Sequence, residues 1–144
     1  MYGIGNSYKY VTLSNCYVLP SPYDSYMGIN YLDTQIAQIS SRRGGVGWDM
    51  STLRPAGTSV KNAAGSTTGT ISFMKRYSNT INEVCQAGRR GASLQSLHVK
   101  HPEIIDFIHC KDDETSITGS NISVGFTDDF FQKLNNKEYI MRPL

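Results

Sequence analysis

The chain has 144 residues, 39% hydrophobic and 18% charged, with a formal net charge of +2. That is long enough for one domain with a real core, and too apolar for a disordered chain. The balance excludes a strong polyanion-binding field, and no apolar stretch approaches the roughly 18 residues of a membrane-spanning helix, so neither a nucleic-acid nor a membrane partner is expected.

The three cysteines, Cys16, Cys85 and Cys110, are an odd number without a C-x-x-C pair, which indicates neither a disulfide framework nor a zinc site. The N-terminus, "MYGIGNSYKY", lacks the basic and apolar regions of a signal peptide, so a reducing, cytoplasmic setting is the expectation.

Residues 8–19, "YKYVTLSNCYVL", are rich in Tyr, Val and Thr and predict a strand that ends at Pro20-Ser21-Pro22. Asp24 or Ser25 then caps a helix from Tyr26 to about Arg43, with Ile29, Leu32, Ile36 and Ile39 on one seam. Gly44 and Gly45 are expected to stop it. "VGWDMS" (46–51) predicts a second strand, followed by a long polar loop over 53–69. A second helix is expected from Thr70 to about Gln86, its seam being Met74, Tyr77, Ile81 and Val84. The matching seams predict that the two helices pack on each other or on a symmetry mate.

"ASLQSLHVK" reads as a strand, and His101-Pro102-Glu103 as the opening of a helix with Pro in its first turn. A polar loop over 111–120 leads to the alternating strand "NISVGF" and to a helix capped by Thr127. Strands alternating with helices predict an α/β fold, with parallel strands joined by helical crossovers, in one domain across 1–144.

"RRGGVGWD" is no dinucleotide fingerprint, because a third glycine is missing and a strand follows it. "AAGSTTGT" is no Walker motif. Loop 53–69 delivers Gly, Ser and Thr to the start of the second helix, which reads as an ordinary surface loop or as a phosphate cradle helped by Lys61. "CQAGRRGA" reads as a solvated turn, as a phosphate or base contact, or as a small RNA-contacting patch. From the residues alone, Cys110 is core, Cys85 is either core or exposed, and Cys16 is an inert buried thiol. His98, His101 and His109 lack regular ligand spacing, so capping or solvated roles are expected and metal is not. Asp112, Asp113 and Glu114 read as a solvated run, and no nucleophile–base–orienter set is legible.

Five segments occur in one order: "LSNCYVL…SPYDSYMGI", "RRGGVGWDMSTLRPAG", "GTISFMKRYSNTINEVCQAGRRGA", "VKHPEIIDFIHCK" and "NISVGFTDDFF". The ordered set resembles the catalytic subunit of ribonucleotide reductase, from about Val11 to Leu134. "SNCYV", "RRGGVG" and "HPEI" are closest to the adenosylcobalamin-dependent class.

The resemblance implies the family's ten-stranded α/β barrel, of which this chain would be roughly the first half. It implies that Cys16 is one of a redox pair supplying electrons to the ribose of a ribonucleoside di- or triphosphate, regenerated by an external dithiol. Ser14 and Asn15 would lie at the ribose or phosphate, with Gly44 and Gly45 as nearby floor. Asp24 and Ser25 would hold the sugar and base of a dNTP or ATP effector, and Arg54 and Lys61 its phosphates. Segment 85–92 would be the second effector loop, with Gln86 and Arg90 reading it, and the two helical seams would form a homodimer bundle.

The family's thiyl-radical motif, Asn-x-Cys-x-Glu, does not occur in this sequence. The expectation is therefore a gene fragment, split subunit or truncated chain, active only with a complementary C-terminal fragment. A nucleotide-binding regulatory or interaction module without catalysis is the alternative.

Overall fold

A computed structural model describes residues 14–85, 91–113 and 115–136. The element order is β1 (Cys16–Val18), α1 (Tyr26–Ser40), β2 (Gly45–Asp49), α2 (Thr70–Val84), β3 (Ser93–His98), α3 (Ile104–His109), β4 (Asn121–Gly125) and α4 (Asp128–Asn135). The four strands form one sheet in the order β1-β2-β3-β4, and every pairing is parallel. This is the expected α/β architecture with helical crossovers. Residues 8–13 of the expected first strand lie outside the described residues.

Local chemistry explains the boundaries. Ser25 is extended, and its hydroxyl accepts from the Gly28 N–H at 3.1 Å, which satisfies a first-turn donor of α1. The expected glycine stop of α1 does not hold. Arg43 takes the left-handed φ of 67°, while the Arg43 N–H donates to Ser40 and the Gly44 N–H to Ile39. Those paired bonds close the helix before either glycine is needed. The helix expected at His101-Pro102-Glu103 starts later, at Ile104, because residues 101–103 form a turn in which the Ile104 N–H reaches His101. Thr127 sits at the start of α4, but its side chain does not cap it.

The seams bury into the chain's own core. Ile29, Leu32 and Ile36 of α1 join Met74, Tyr77 and Ile81 of α2 beneath the sheet residues Val46, Trp48 and Leu97. Trp48 and Tyr77 meet edge to face with centroids 5.6 Å apart. The buried Tyr77 hydroxyl donates to the Ile29 carbonyl at 3.2 Å, tying α2 to α1. Burial pushes its pKa up, with Asp33 adding to the shift and Arg76 opposing it. Arg76 and Thr80 both reach Asp33, at 2.9 and 2.7 Å.

The segment 111–120 is less of a polar loop than its composition predicts. Ile117 is buried with a left-handed φ of 52°, an uncommon conformation for a β-branched residue. Thr118 and Gly119 hold it there through Asn82 and Ser78 of α2, at 2.9 and 2.8 Å.

The sheet's other face stays open. Val18 is 91% exposed and Leu94 43%, and they share a row with Gly47 and Asn121. α4 buries no residue, and Phe126, Phe130 and Phe131 cluster at its start with centroids 5.0–5.6 Å apart. Parallel sheets are stable with both faces covered, so this face needs a further layer.

Tyr77→Phe should lower stability by about 1 kcal/mol, since only the α2–α1 hydrogen bond is lost. Urea unfolding checks this, with a lower midpoint at unchanged slope as the expected result.

Candidate functional site

Two groups of sequence-selected residues come together, at different places. The first lies on the open face at the edge strand β1. Cys16 pairs in register with Gly45, and the Gly45 N–H donates to the Asn15 carbonyl at 2.7 Å. Ser14 and Asn15 are exposed beside them. The expected burial of Cys16 does not hold: the thiol is exposed, because its strand position alternates away from the helices. Of the two glycines, only Gly45 shares its face. A Cβ on Gly44 would run into Ile39 and the Tyr17 ring, on the helical side.

The other thiols lie across the sheet. Cys85 follows α2, Cys110 follows α3, and both pack against the core. Burial pushes both thiols up, with Lys111 and Lys75 partly opposing the shift at Cys110. Neither faces Cys16, so neither is placed to form a disulfide with it.

Further along the open face, Asp49 gathers hydroxyls. Its carboxylate accepts from Ser96 Oγ and Ser51 Oγ, both at 2.9 Å, and from the Ser51 N–H at 3.1 Å. Ser51 Oγ in turn accepts from the His98 N–H at 2.8 Å. His98 caps its own turn by accepting from the Lys100 N–H at 3.0 Å. Sequence reasoning missed this network, because Asp49 and Ser51 belong to β2 and the turn after it, and they meet Ser96 and His98 of β3 only through the parallel register.

The second group lies at the start of α1. Asp24 and Arg54 form an ion pair at 2.6 Å, half exposed, and Arg54 also donates to the Ser59 carbonyl at 3.1 Å. Ser25, next to Asp24, has its hydroxyl engaged in the α1 cap. Lys61 is exposed in the loop that Arg54 opens. Gln86 and Arg90 lie outside the described residues.

Loop 53–69 is more ordered than its composition predicts. Gly57 and Thr67 bond across it at 3.0 Å, Thr67 and Thr58 at 3.0 Å, and Ser59 bridges Ser66 in antiparallel sense. It does not deliver a vacant helix end for phosphate. The Glu103 carboxylate accepts from the Thr70 N–H at 2.8 Å and fills the start of α2. A missing side-chain cap at Gly69-Thr70 was the available signal, since first-turn donors must find an acceptor somewhere.

The family model for the ribonucleotide reductase barrel domain matches residues 14–142. The vitamin B12-dependent ribonucleoside-diphosphate reductase of Thermoplasma acidophilum is 42% identical over 130 residues, covering 89% of this chain and 17% of that protein. The enzyme of the same name from Mycobacterium tuberculosis (strain CDC 1551 / Oshkosh) is 38% identical over 122 residues, covering 83% of this chain and 18% of that protein. The class Id ribonucleotide reductase alpha subunit of Actinobacillus ureae superposes with a TM-score of 0.73 at 18% identity, over 85% of this chain and 22% of that one. That likeness speaks to the fold alone. The chain spans less than a fifth of the length of the two curated relatives, at 17% and 18%. It belongs to the ribonucleotide reductase family, as part of the barrel domain.

Proposed function

We infer that this chain supplies one redox cysteine and the effector-binding loops of a ribonucleotide reductase, and turns over only with the remainder of the barrel. The observation that carries the reading is an exposed thiol, Cys16, opposite Gly45 on a sheet face left bare. A glycine opposite the thiol puts no side chain in front of it. In this reading Cys16 and a cysteine outside this chain lose two electrons and two protons as their disulfide forms. The ribose 2′-hydroxyl leaves as water, and a hydrogen takes its place on carbon. An external dithiol then reduces the disulfide, which requires a reducing compartment such as the cytoplasm. Ser14 and Asn15 flank the thiol and are suited to ribose or phosphate contacts. The names of the two B12-dependent relatives favour a ribonucleoside diphosphate as the substrate.

The same relatives favour adenosylcobalamin, which supplies the initiating radical when bound. The described residues do not themselves make a corrin site. His101 has both ring nitrogens engaged, His109 faces Asp112, and Gly45, Gly47, Ser96 and Ser123 are too small to enclose the ring. The cofactor is held mainly outside this chain, and no step above passes through it.

The second group is the site of a dNTP or ATP effector. A triphosphate competes with Asp24 for Arg54, and the released carboxylate accepts from the effector's sugar hydroxyl. Ser25 stands beside it, Lys61 adds charge from the loop, and Gln86 and Arg90 read the bound effector toward the substrate. The effector-site helices also support a homodimer. Their seams are buried, so the contact uses the outer stripe of Tyr23, Met27 and Tyr31, which are 83%, 82% and 65% exposed.

Mixing the chain with a complementary C-terminal fragment should restore nucleotide reduction, and Cys16→Ser should lower dithiol-driven turnover by about two orders of magnitude or more. Full turnover after that change contradicts the redox role. Effector binding without any complementable activity supports a regulatory module instead. By calorimetry, Arg54→Ala should weaken dNTP binding about tenfold or more, and Lys61→Ala by only a few-fold because its charge is solvated. In timed maleimide labelling at pH 8, Cys16 should react about tenfold faster than Cys85 and Cys110, with the gap narrowing as pH rises.

A further inference from the structure

The turn His101-Pro102-Glu103 touches both roots of loop 53–69. At the first root, His101 Nε2 lies 2.8 Å from the Leu53 carbonyl. At the second, Glu103 Oε2 accepts from the Thr70 N–H at 2.8 Å. The turn is braced internally, since the Glu103 N–H donates to His101 Nδ1 at 3.2 Å. That bond makes Nδ1 the acceptor and leaves Nε2 as the N–H that donates to Leu53. All four residues are buried, with Thr70 fully so.

The second root has no other solution. Gly69 has a φ of 83°, and a Cβ there would collide with the Glu103 carboxylate and with Ala56. The position thus admits glycine alone, and glycine has no side chain with which to cap α2. Glu103 supplies the cap from the turn that follows β3 and places a negative charge at the positive end of α2. That charge opposes a phosphate at the same helix end. Leu53, held by His101, is the immediate neighbour of Arg54. The other end of the same β3–α3 segment meets the open face, where the His98 N–H bonds Ser51.

We propose that the His101-Pro102-Glu103 turn is a clasp that positions loop 53–69, with His101 and Glu103 as positioning residues for the cations Arg54 and Lys61. The clasp fixes both ends of the loop to one rigid point. It directs an anionic ligand away from α2 and toward the loop's own cations. The ligand half of this inference rests on the effector reading given above.

The test uses hydrogen exchange and dTTP binding on the full 144-residue chain. In the unmodified chain, the Thr70 amide should be protected although it lies in the first turn of a helix; exchange as fast as a free first-turn amide overturns the clasp without any variant. Glu103→Ala should speed exchange about tenfold or more at Thr70, Gly57 and Thr67, while β3 and β4 amides stay unchanged. Unchanged exchange in the loop overturns the proposal. Glu103→Gln, which keeps an acceptor oxygen, should restore protection. It should also hold dTTP affinity within about threefold of the unmodified chain, against a loss of about tenfold in Glu103→Ala. Tighter dTTP binding in Glu103→Ala overturns the positioning role, because it makes Glu103 a mere blocker. If the unmodified chain shows the expected exchange pattern and binds no dTTP, the effector reading fails and the clasp stands.

Discussion

A parallel strand cannot reach its neighbour through a tight turn, so each connection here takes a helix across the sheet. With the strands in simple sequential order, α1, α2 and α3 contribute to one core on one side. Everything else about the molecule follows from that asymmetry. On the helical side Ile36, Met74, Tyr77 and Leu97 have no exposed surface at all. On the other side lie a thiol, the glycines Gly45, Gly47 and Gly125, and a string of hydroxyls. Strand alternation decides which side a residue joins, and one position of slip at β1 would bury Cys16 and expose Tyr17.

The bare face leaves the Cys16 thiol accessible. A cysteine in the core is desolvated and slow to ionise, as burial makes Cys85 and Cys110. Cys16 has the same chemical group with free access and a glycine opposite. The aromatic cluster at α4 and the exposed Val18 and Leu94 call for a further layer, which agrees with a partial barrel. The open face is thus an unfinished interface, and in the proposed function it is also where the substrate lies. The proposed anion-binding loop depends on a second constraint, that buried helix ends need acceptors. Glu103 meets it for α2, which leaves Arg54 and Lys61 as the cations of the loop.

Much of this was legible in the sequence. The order of elements, the helical seams and the Ser25 cap follow from spacing and short-range chemistry, and the structure agrees. The ordered set of family-like segments pointed to the barrel before any fold was known. What sequence reasoning missed was long-range. Cys16 read as inert because free cysteines are commonly buried, and the strand pattern around it gives no sign of which face is covered. Glu103 read as part of a helix start, because its partner Thr70 lies 33 residues away. Asp49, Ser51 and Ser96 looked like ordinary strand and loop residues until the register joined them. Arg43 took the left-handed position beside two glycines, where composition alone favours the glycine.

In the proposed function the open-face thiol exchanges electrons with a cysteine from outside this chain. That exchange is tested most directly in the assembled enzyme, run for a single turnover without dithiol reductant, alkylated and mapped by mass spectrometry. Cys16 should be recovered in a disulfide with a cysteine absent from these 144 residues, while Cys85 and Cys110 stay as thiols. Recovery of Cys16 as a free, alkylated thiol alongside a full yield of deoxyribonucleotide would contradict it.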